Sequence, residues 1–513
     1  MTEADSQSQV VERLSAELGT IYGNCRRIET HASFVLLAGE CAIKIKRAVR
    51  YPFLDYSTLA LRKAACEAEL SVNKVFAPAI YLGVVPIVCQ AGRLQIGGPG
   101  EAIEWAVSMR RFDDAATLDH IAEGGPISVE LAESIASAIV AAHVQAQRCP
   151  SWTDALRSFI VENDKEMLGG FDVFSRADVQ DLTEKSLARL ERLVLLLDRR
   201  AELGFVRHGH GDLHLGNIVL INSKPVLFDA IEFDPRVAIG DVFYELAFVL
   251  MDLIKRGQKL AANIIFNGYL TLSHAPSHSD ALAALPLFLS VRAAIRAKVT
   301  AEQSRLAAAD SRAVLAERAR GYLTLAKGFL APPSPRLIGI GGLSGTGKST
   351  IARHLAPNIP PDPGAVVLRS DIERKVMFGV APAEQLPAST YSRDVSRKVY
   401  ANLLNGAKRV LAAGHSVIVD AVFADPQERA ALNSLASEMK IPLSGLFLNL
   451  DLPERLLRIR SRIPDVSDAD EKVAMEQARF DLGAMDWHLI DAGGDLNDAV
   501  TRCTRVVSGA DIS

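Results

Sequence analysis

The sequence predicts two domains of different class. The first is an α+β domain with a small β-rich lobe and a larger helical lobe; the second is an α/β domain on a parallel sheet. Three observations carry this. Residues 25–110 alternate short apolar runs with turns, whereas the chain beyond about 115 reads as mostly helical. A proline-rich seam, Ala331-Pro-Pro-Ser-Pro335, follows a long helical stretch at about 300–330, and its prolines cannot continue a helix. Past the seam, apolar strand-like runs alternate with helical segments, the pattern of parallel strands with crossover helices. The domains are accordingly placed at 1–330 and 337–513, with a linker at 331–336. A chain of 513 residues also exceeds what one core organises.

In the first domain, the runs Ser33-Phe-Val-Leu-Leu37 and Cys41-Ala-Ile-Lys-Ile-Lys46 flank Gly39-Glu40, which predicts a hairpin. A helix is expected at about 58–76, and a short strand pair at 218–220 and 226–228. In the second domain, strands are expected at 337–341, 366–368, 416–419 and 443–450. Helices are expected to start near Lys348, Asp394, Pro426 and Pro453. The two halves share no repeat.

Composition narrows the functional classes. Hydrophobic residues make up 49% and charged residues 23%, as in ordinary globular proteins. A net charge of −4 gives no general attraction to nucleic acid or anionic membrane. The six cysteines are dispersed and form no C-x-x-C pair, which predicts reduced thiols in the cytosol. The polar start lacks a basic and apolar leader. The apolar run around 246–250 is interrupted by Glu245 and Asp252, far short of the ~20 residues that span a bilayer. A soluble, cytoplasmic protein is expected, with small-molecule partners and neither nucleic acid nor membrane among them.

Two segments carry chemistry. The first is His210-Gly-Asp-Leu-His-Leu-Gly-Asn217, followed by Leu227-Phe-Asp229. Phosphoryl transfer needs a group that orients or deprotonates the acceptor hydroxyl, oxygen ligands for magnesium, and a cation on the phosphates. Asp212 precedes Asn217 by five positions, so the acid can face an acceptor while the Asn carbonyl meets a metal. A hairpin would return Asp229 beside Asn217. Zinc is a rival reading of His208, His210 and His214, but their spacing fits no common zinc pattern.

This segment resembles the catalytic segment of the aminoglycoside phosphotransferase and choline kinase-like family. The resemblance spans roughly 20–320 and implies a protein kinase-like fold. It implies Asp212 as catalytic base, and Asn217 and Asp229 as magnesium ligands. By position Lys44 matches the phosphate lysine of the small lobe, with Lys46 on the same strand face as a competitor. The partner acid is Glu67 or Glu69, with Glu69 preferred. No G-x-G-x-x-G precedes Lys44, unlike in ordinary protein kinases.

The second segment is Gly342-Leu-Ser-Gly-Thr-Gly347-Lys348-Ser349, between an apolar run and a helix. That context suits a phosphate-binding loop. Its candidate nucleotide contacts are Gly342, Leu343, Ser344, Gly345, Thr346, Gly347, Lys348, Ser349 and Thr350. Lys348 would reach the β- and γ-phosphates, and the Ser349 hydroxyl would hold magnesium. Asp371 ends a strand-like run as the candidate catalytic acid, with Arg374 as substrate clamp. Asp420 stands at a second strand end as a metal-side carboxylate. Arg455, Arg458, Arg460 and Arg462 suggest an arginine-rich lid, with Arg460 taken as the ATP contact. Residues 337–510 resemble the zeta toxin, gluconate kinase and chloramphenicol phosphotransferase group of P-loop kinases. The fusion itself resembles proteins called bifunctional aminoglycoside phosphotransferase/ATP-binding proteins.

The leading reading is a phosphotransferase with two kinase-like domains, each using ATP and Mg2+ on small hydroxyl-bearing acceptors. In one alternative a single domain is active and the other regulates; in another the chain is a nucleotide-switched interaction protein. The acidic residues Glu232, Asp234, Asp241 and Glu245 are the candidates for a cationic acceptor pocket, and by sequence they do not establish one.

Overall fold

The computed structural model describes residues 3–51, 54–170, 172–273, 275, 277–381, 384–461 and 470–509. It contains an α+β part, with a β-rich region and a helical region, followed by an α/β part on a parallel sheet. The chain packs as two compact units. One comprises 1–127, 138–156 and 198–252; the other comprises 128–137, 157–197 and 253–513. Residues 331–336 form neither helix nor strand, and the helices before them share a compact unit with the P-loop part after them. Among the described residues no helix is long and apolar enough to cross a membrane.

The first unit is organised by a six-stranded antiparallel sheet. Its order is Cys25–Glu29, Ser33–Ala38, Cys41–Lys46, Ala102–Arg110, Tyr81–Gln90 and Arg93–Ile96. Strand period two sorts the residues of Cys41–Lys46. Ile43 and Ile45 pack with Val11, Leu14 and Leu18 of the helix Glu3–Tyr22, an element the polar N-terminal sequence concealed. Lys44 and Lys46 alternate to the other face, where the helix Leu59–Phe76 lies. That helix begins where Thr58 accepts the Leu61 N–H, a side-chain cap on its first turn. Gln7 fixes the lysine strand's exit: its amide donates to Lys46 O and accepts from the Ala48 N–H, both at 2.7 Å.

The hairpin Ile218–Ile221 and Lys224–Leu227 turns through Asn222 and Ser223, both with positive φ. Such two-residue turns match the right-handed twist of the strands. It returns the chain so that the Phe228 N–H donates to Asn217 O at 3.0 Å.

In the second unit, the expected single helical stretch at 300–330 is two helices, Leu285–Leu306 and Ala309–Phe329. Extended backbone at Ala307 and Ala308 separates them, and alanine, a helix former, gave no warning of the break. The P-loop sheet is parallel, in the order Val366–Arg369, Val417–Asp420, Leu337–Gly342, Leu443–Asn449 and His488–Asp491. The last strand was not anticipated, because it is a mostly exposed edge without an apolar run. Ile338 and Ile340 of the central strand pack against Ile351 and Leu355, and the same cluster takes in Cys503 and Val507. Open parallel sheets place ligands beyond their strand carboxyl ends. Gly342, Arg369 and Asp420 all lie there.

Candidate active sites

In the first site Lys44 and Lys46 share one acid. Lys44 Nζ lies 2.7 Å from both Glu69 Oε1 and Asp229 Oδ1. Lys46 Nζ lies 2.6 Å from Glu69 Oε2 and 2.5 Å from Glu232 Oε1. Glu67 instead pairs with Lys63 on the exposed helix face, 3.7 Å away. Burial opposes the charge on Lys44, but the Asp229 and Glu69 carboxylates outweigh it and hold the ammonium well above its ordinary value. Asp229 has φ +62°, so its side chain leaves the hairpin in an uncommon direction, toward Lys44. Asn217 Nδ2 donates to Asp212 O at 2.8 Å and to Asp212 Oδ2 at 3.2 Å. The Asp212 and Asp229 side chains remain 38% and 46% exposed, so the two carboxylates open to solvent above a buried frame.

That frame includes a residue whose role the sequence hid. Glu245 Oε1 accepts the backbone N–H groups of His210 at 2.6 Å and Gly211 at 2.9 Å. His143 Nε2 meets its other oxygen at 2.9 Å. A Cβ at position 209 would run into this carboxylate, which explains Gly209. Burial works to raise the Glu245 carboxyl, but His143, His210 and the Gly211 amide hold it down at about 2. No local motif marks a residue 35 positions from the amide it holds.

Glu245→Ala is therefore expected to cost about 3 kcal/mol, by leaving buried donors unpaired. The Glu245 carboxyl is depressed from 4.5, so its contribution is fully present above pH 4.5 and lost as pH falls toward 2. Thermal melts from pH 7 to pH 3 should show the gap between wild type and Glu245→Gln shrinking in acid. A gap independent of pH would refute the clamp.

The other acidic candidates are also engaged. Asp241 makes a buried bidentate pair with Arg200, at 2.6 and 2.8 Å. Asp234 caps the short helix Pro235–Ala238 and binds Arg236. Glu232 holds Lys46 and accepts from Tyr56. All four act as scaffold. Two of the three histidines of the zinc reading are engaged locally: His210 Nε2 meets Phe228 O, and His214 Nδ1 accepts the Gly216 N–H.

The second site is a cavity of about 1060 Å³ at the carboxyl ends of the parallel strands. Its floor is the loop from Ser344 to Lys348, and Gly342 and Leu343 lead into that loop without lining the cavity. Gly342, Gly345 and Gly347 have φ of +143°, +87° and +91°. A Cβ on Gly345 would stand 2.7 Å from Arg455 O, and one on Gly342 would stand 2.9 Å from Leu448 O. Only glycine serves these two positions. Leu343 turns its carbonyl to the Thr346 hydroxyl at 2.8 Å. Ser344 to Ile351, Thr350 included, line the cavity. Ser349 Oγ donates to Asp420 Oδ2 at 2.7 Å, and Arg369 Nε lies 3.5 Å from the same oxygen. Burial pulls the Lys348 ammonium down and pushes the Asp420 carboxyl up. Asp371, in the first turn of the helix Ser370–Met377, lines the cavity and acts electrostatically on Lys348.

Tyr400 and Glu428 line the cavity and were not singled out by the sequence reading. The Tyr400 hydroxyl accepts the Phe423 N–H at 3.0 Å and hydrogen-bonds Glu428. Burial lifts the Glu428 carboxyl to about 7. Arg374 lines the cavity, but its guanidinium donates to Thr390 O at 2.7 Å and lies over the Tyr391 ring.

The arginine cluster divides by helix phase. Arg455 is buried and donates to Ser344 O at 2.8 Å, which braces the loop. Arg458 donates to Ala492 O at 2.8 Å and faces the cavity. Arg460, the expected ATP contact, is not among the residues that line the cavity. Two residues beyond Arg458 on a helix, it points away from the cavity, where it makes a bidentate pair with Glu471 at 2.8 Å. Arg462 lies outside the described residues. Arg460→Ala should leave ATP-dependent turnover within about twofold of wild type, since exposed ion pairs contribute little. Steady-state kinetics check this, and a tenfold rise in KM for ATP would return Arg460 to the site.

A family model described as an AAA domain matches residues 337–481. An uncharacterised protein of Mycobacterium tuberculosis, Rv2004c, is 31% identical over 500 residues, covering 93% of this chain and 94% of that protein. Mb2027c of Mycobacterium bovis matches to the same extent. Among solved structures, a choline/ethanolamine kinase family protein from Mesorhizobium loti aligns at 13% identity with a TM-score of 0.37, over 62% of this chain and 99% of its own. A gluconokinase from Sinorhizobium meliloti aligns at 18% identity with a TM-score of 0.26, over 34% of this chain and 93% of its own.

Proposed function

This chain belongs to the same family as the Mycobacterium tuberculosis protein Rv2004c, and we propose that it is a cytoplasmic phosphotransferase with two ATP- and Mg2+-dependent sites acting on small hydroxyl-bearing acceptors. One observation carries the reading. Each site brings an acid, a lysine and a metal-type oxygen donor set to one place: Asp212, Lys44 and Asn217 with Asp229 in the first, and Asp371, Lys348 and Ser349 with Asp420 in the second. The six free cysteines suit a reducing compartment.

The donor sets fit magnesium, which favours hard oxygen ligands. Asn217 spends its amide nitrogen on Asp212, which leaves its oxygen as the end for a cation, with Asp229 as the second ligand. In the second site the Ser349 hydroxyl and Asp420 stand together beneath the glycine cradle. When bound, the ion would neutralise charge on the transferring phosphoryl group.

The chain's own residues do the rest. Asp212 is exposed enough to accept an acceptor hydroxyl's proton, and Asn217 and the Glu245 clamp fix its position. Lys44, held by Glu69, presents its ammonium to a nucleotide phosphate. In the second site the left-handed glycines shape the turn of the loop, and Lys348 on the cavity wall supplies the cation. A polyphosphate there would provide the negative charge that favours charged Lys348.

The test is ADP release by the full chain across sugars, amino sugars, aminoglycosides and nucleosides, with the product's mass measured. At least one acceptor should gain a phosphate. Tight nucleotide binding with no transfer to any acceptor would favour the nucleotide-switched interaction protein instead.

A further inference from the structure

The helix Lys259–Leu272, in the second unit, carries two asparagines one turn apart, Asn263 and Asn267. Both meet the segment leading into Val366–Arg369, which is an edge strand of the P-loop sheet. An edge strand presents N–H and C=O groups that lack a neighbouring strand. Here the side-chain amides serve as that neighbour. Asn267 Oδ1 accepts the Val367 N–H at 2.7 Å, and its Nδ2 donates to Ala365 O at 3.1 Å. Asn263 Nδ2 donates to Ala365 O and Pro363 O, both at 3.1 Å. Asn267 Nδ2 also lies 3.1 Å from Asn263 Oδ1, so the two amides orient each other.

The surroundings are fitted to this arrangement. Gly364 has φ +102°, and a Cβ there would stand 2.7 Å from Asn263 Nδ2. His415 Nε2 meets Gly364 O at 2.9 Å, and its ring tilts against Phe266 of the same helix, with centroids 5.4 Å apart. Asparagine is a poor helix residue, and a buried amide costs free energy unless it is hydrogen-bonded. Apolar side chains would pack helix on sheet more cheaply. Two amides that match backbone donors and acceptors instead fix the strand's position along its own axis.

That position matters at the strand's far end. Two residues past Val367 is Arg369, 3.5 Å from Asp420. Four residues past it is Asp371, on the cavity wall. We propose that Asn267, backed by Asn263, is a positioning residue for the P-loop site. A helix encoded before the linker thus supplies the outer rung that holds the strand delivering Arg369 and Asp371. The proposal rests on the P-loop half of the reading above. It gives a physical reason for the two kinase-like parts to share a chain: the second site borrows its alignment from helices of the first part.

The experiment uses the full chain in an Asp212→Asn background, so that turnover reports the P-loop site. Asn267→Leu removes the rung at similar volume. Phe266→Leu perturbs packing on the same helix and leaves the rung intact. ATP turnover, melting temperature and amide exchange over 364–371 are measured for each. Asn267→Leu should lower kcat about tenfold and raise exchange over 364–371 at least tenfold. KM for ATP should stay within about twofold, because the phosphate loop follows a different strand. Phe266→Leu should match its loss of melting temperature with kcat within about twofold of the parent. Unchanged kcat in Asn267→Leu overturns the proposal, and so does an equal loss of kcat in Phe266→Leu. If the parent turns over no faster than an Asp212→Asn, Lys348→Ala double variant, the P-loop site is not catalytic and that reading fails by itself. The exchange data then decide the rung alone, and unchanged protection in Asn267→Leu refutes it.

Discussion

Asp212→Asn abolishes transfer at the first site: kcat falls by about 10²–10⁴, the range that a positioned general base supplies. The substitution keeps the shape of the side chain. Asn217 Nδ2 can still donate to the residue 212 carbonyl, and the Glu245 clamp acts on the backbone of 210 and 211. The fold is therefore expected to hold, with a melting temperature within a few degrees of wild type. What is lost is the carboxylate that accepts the acceptor's proton. Since Asp212 is not the phosphate lysine or its partner, KM for ATP at this site should change little. Wild-type kcat with a fully exchanged amide would remove Asp212 from the mechanism.

Lys348→Ala has the second largest effect, a fall of about 10²–10³ in transfer at the P-loop site, as for loss of one preorganised charge-stabilising group. Desolvation of the half-buried Lys348 outweighs the Asp420 and Asp371 carboxylates and disfavours its charge. A bound polyphosphate reverses that balance, so the lysine contributes most when nucleotide is in place. Nucleotide affinity should fall together with turnover, in contrast to Asp212→Asn. Isothermal titration with a non-hydrolysable ATP analogue measures the affinity. Undiminished binding would mean that Lys348 is not the phosphate cation. With both variants in hand, an acceptor panel also asks whether the sites act independently. If either single change removed all turnover, two separately active sites would be excluded.

Both sites were legible wherever chemistry is packed into contiguous residues. Strand–loop–helix order around Gly342 to Ser349 is local. So is the return of Asp229 to Asn217, because a two-residue turn sets it. The alternation in Cys41–Lys46 put Lys44 and Lys46 on one face, but it left their partner open between Glu67 and Glu69. These two acids are two positions apart on a helix and point to different sides, so only the packing of Leu59–Phe76 on the sheet selects the inward one. Helix phase likewise separates Arg458 from Arg460, which look equivalent in an arginine-rich run.

The two fold classes, the order of the parts, and the loops that carry Asp212 and Lys348 are readable from local pattern alone. These depend on periodicity, turn chemistry and short motifs, all of which act within a few residues. Tertiary structure decided the rest. It turned Glu245 from a candidate acceptor contact into a clamp on the loop that carries Asp212, and gave Glu69 two lysines. It also set Asn263 and Asn267 against a strand about 100 residues away. A buried polar group must find its partner wherever the fold brings one. Chain separation places no limit on that partner, so no local pattern announces it.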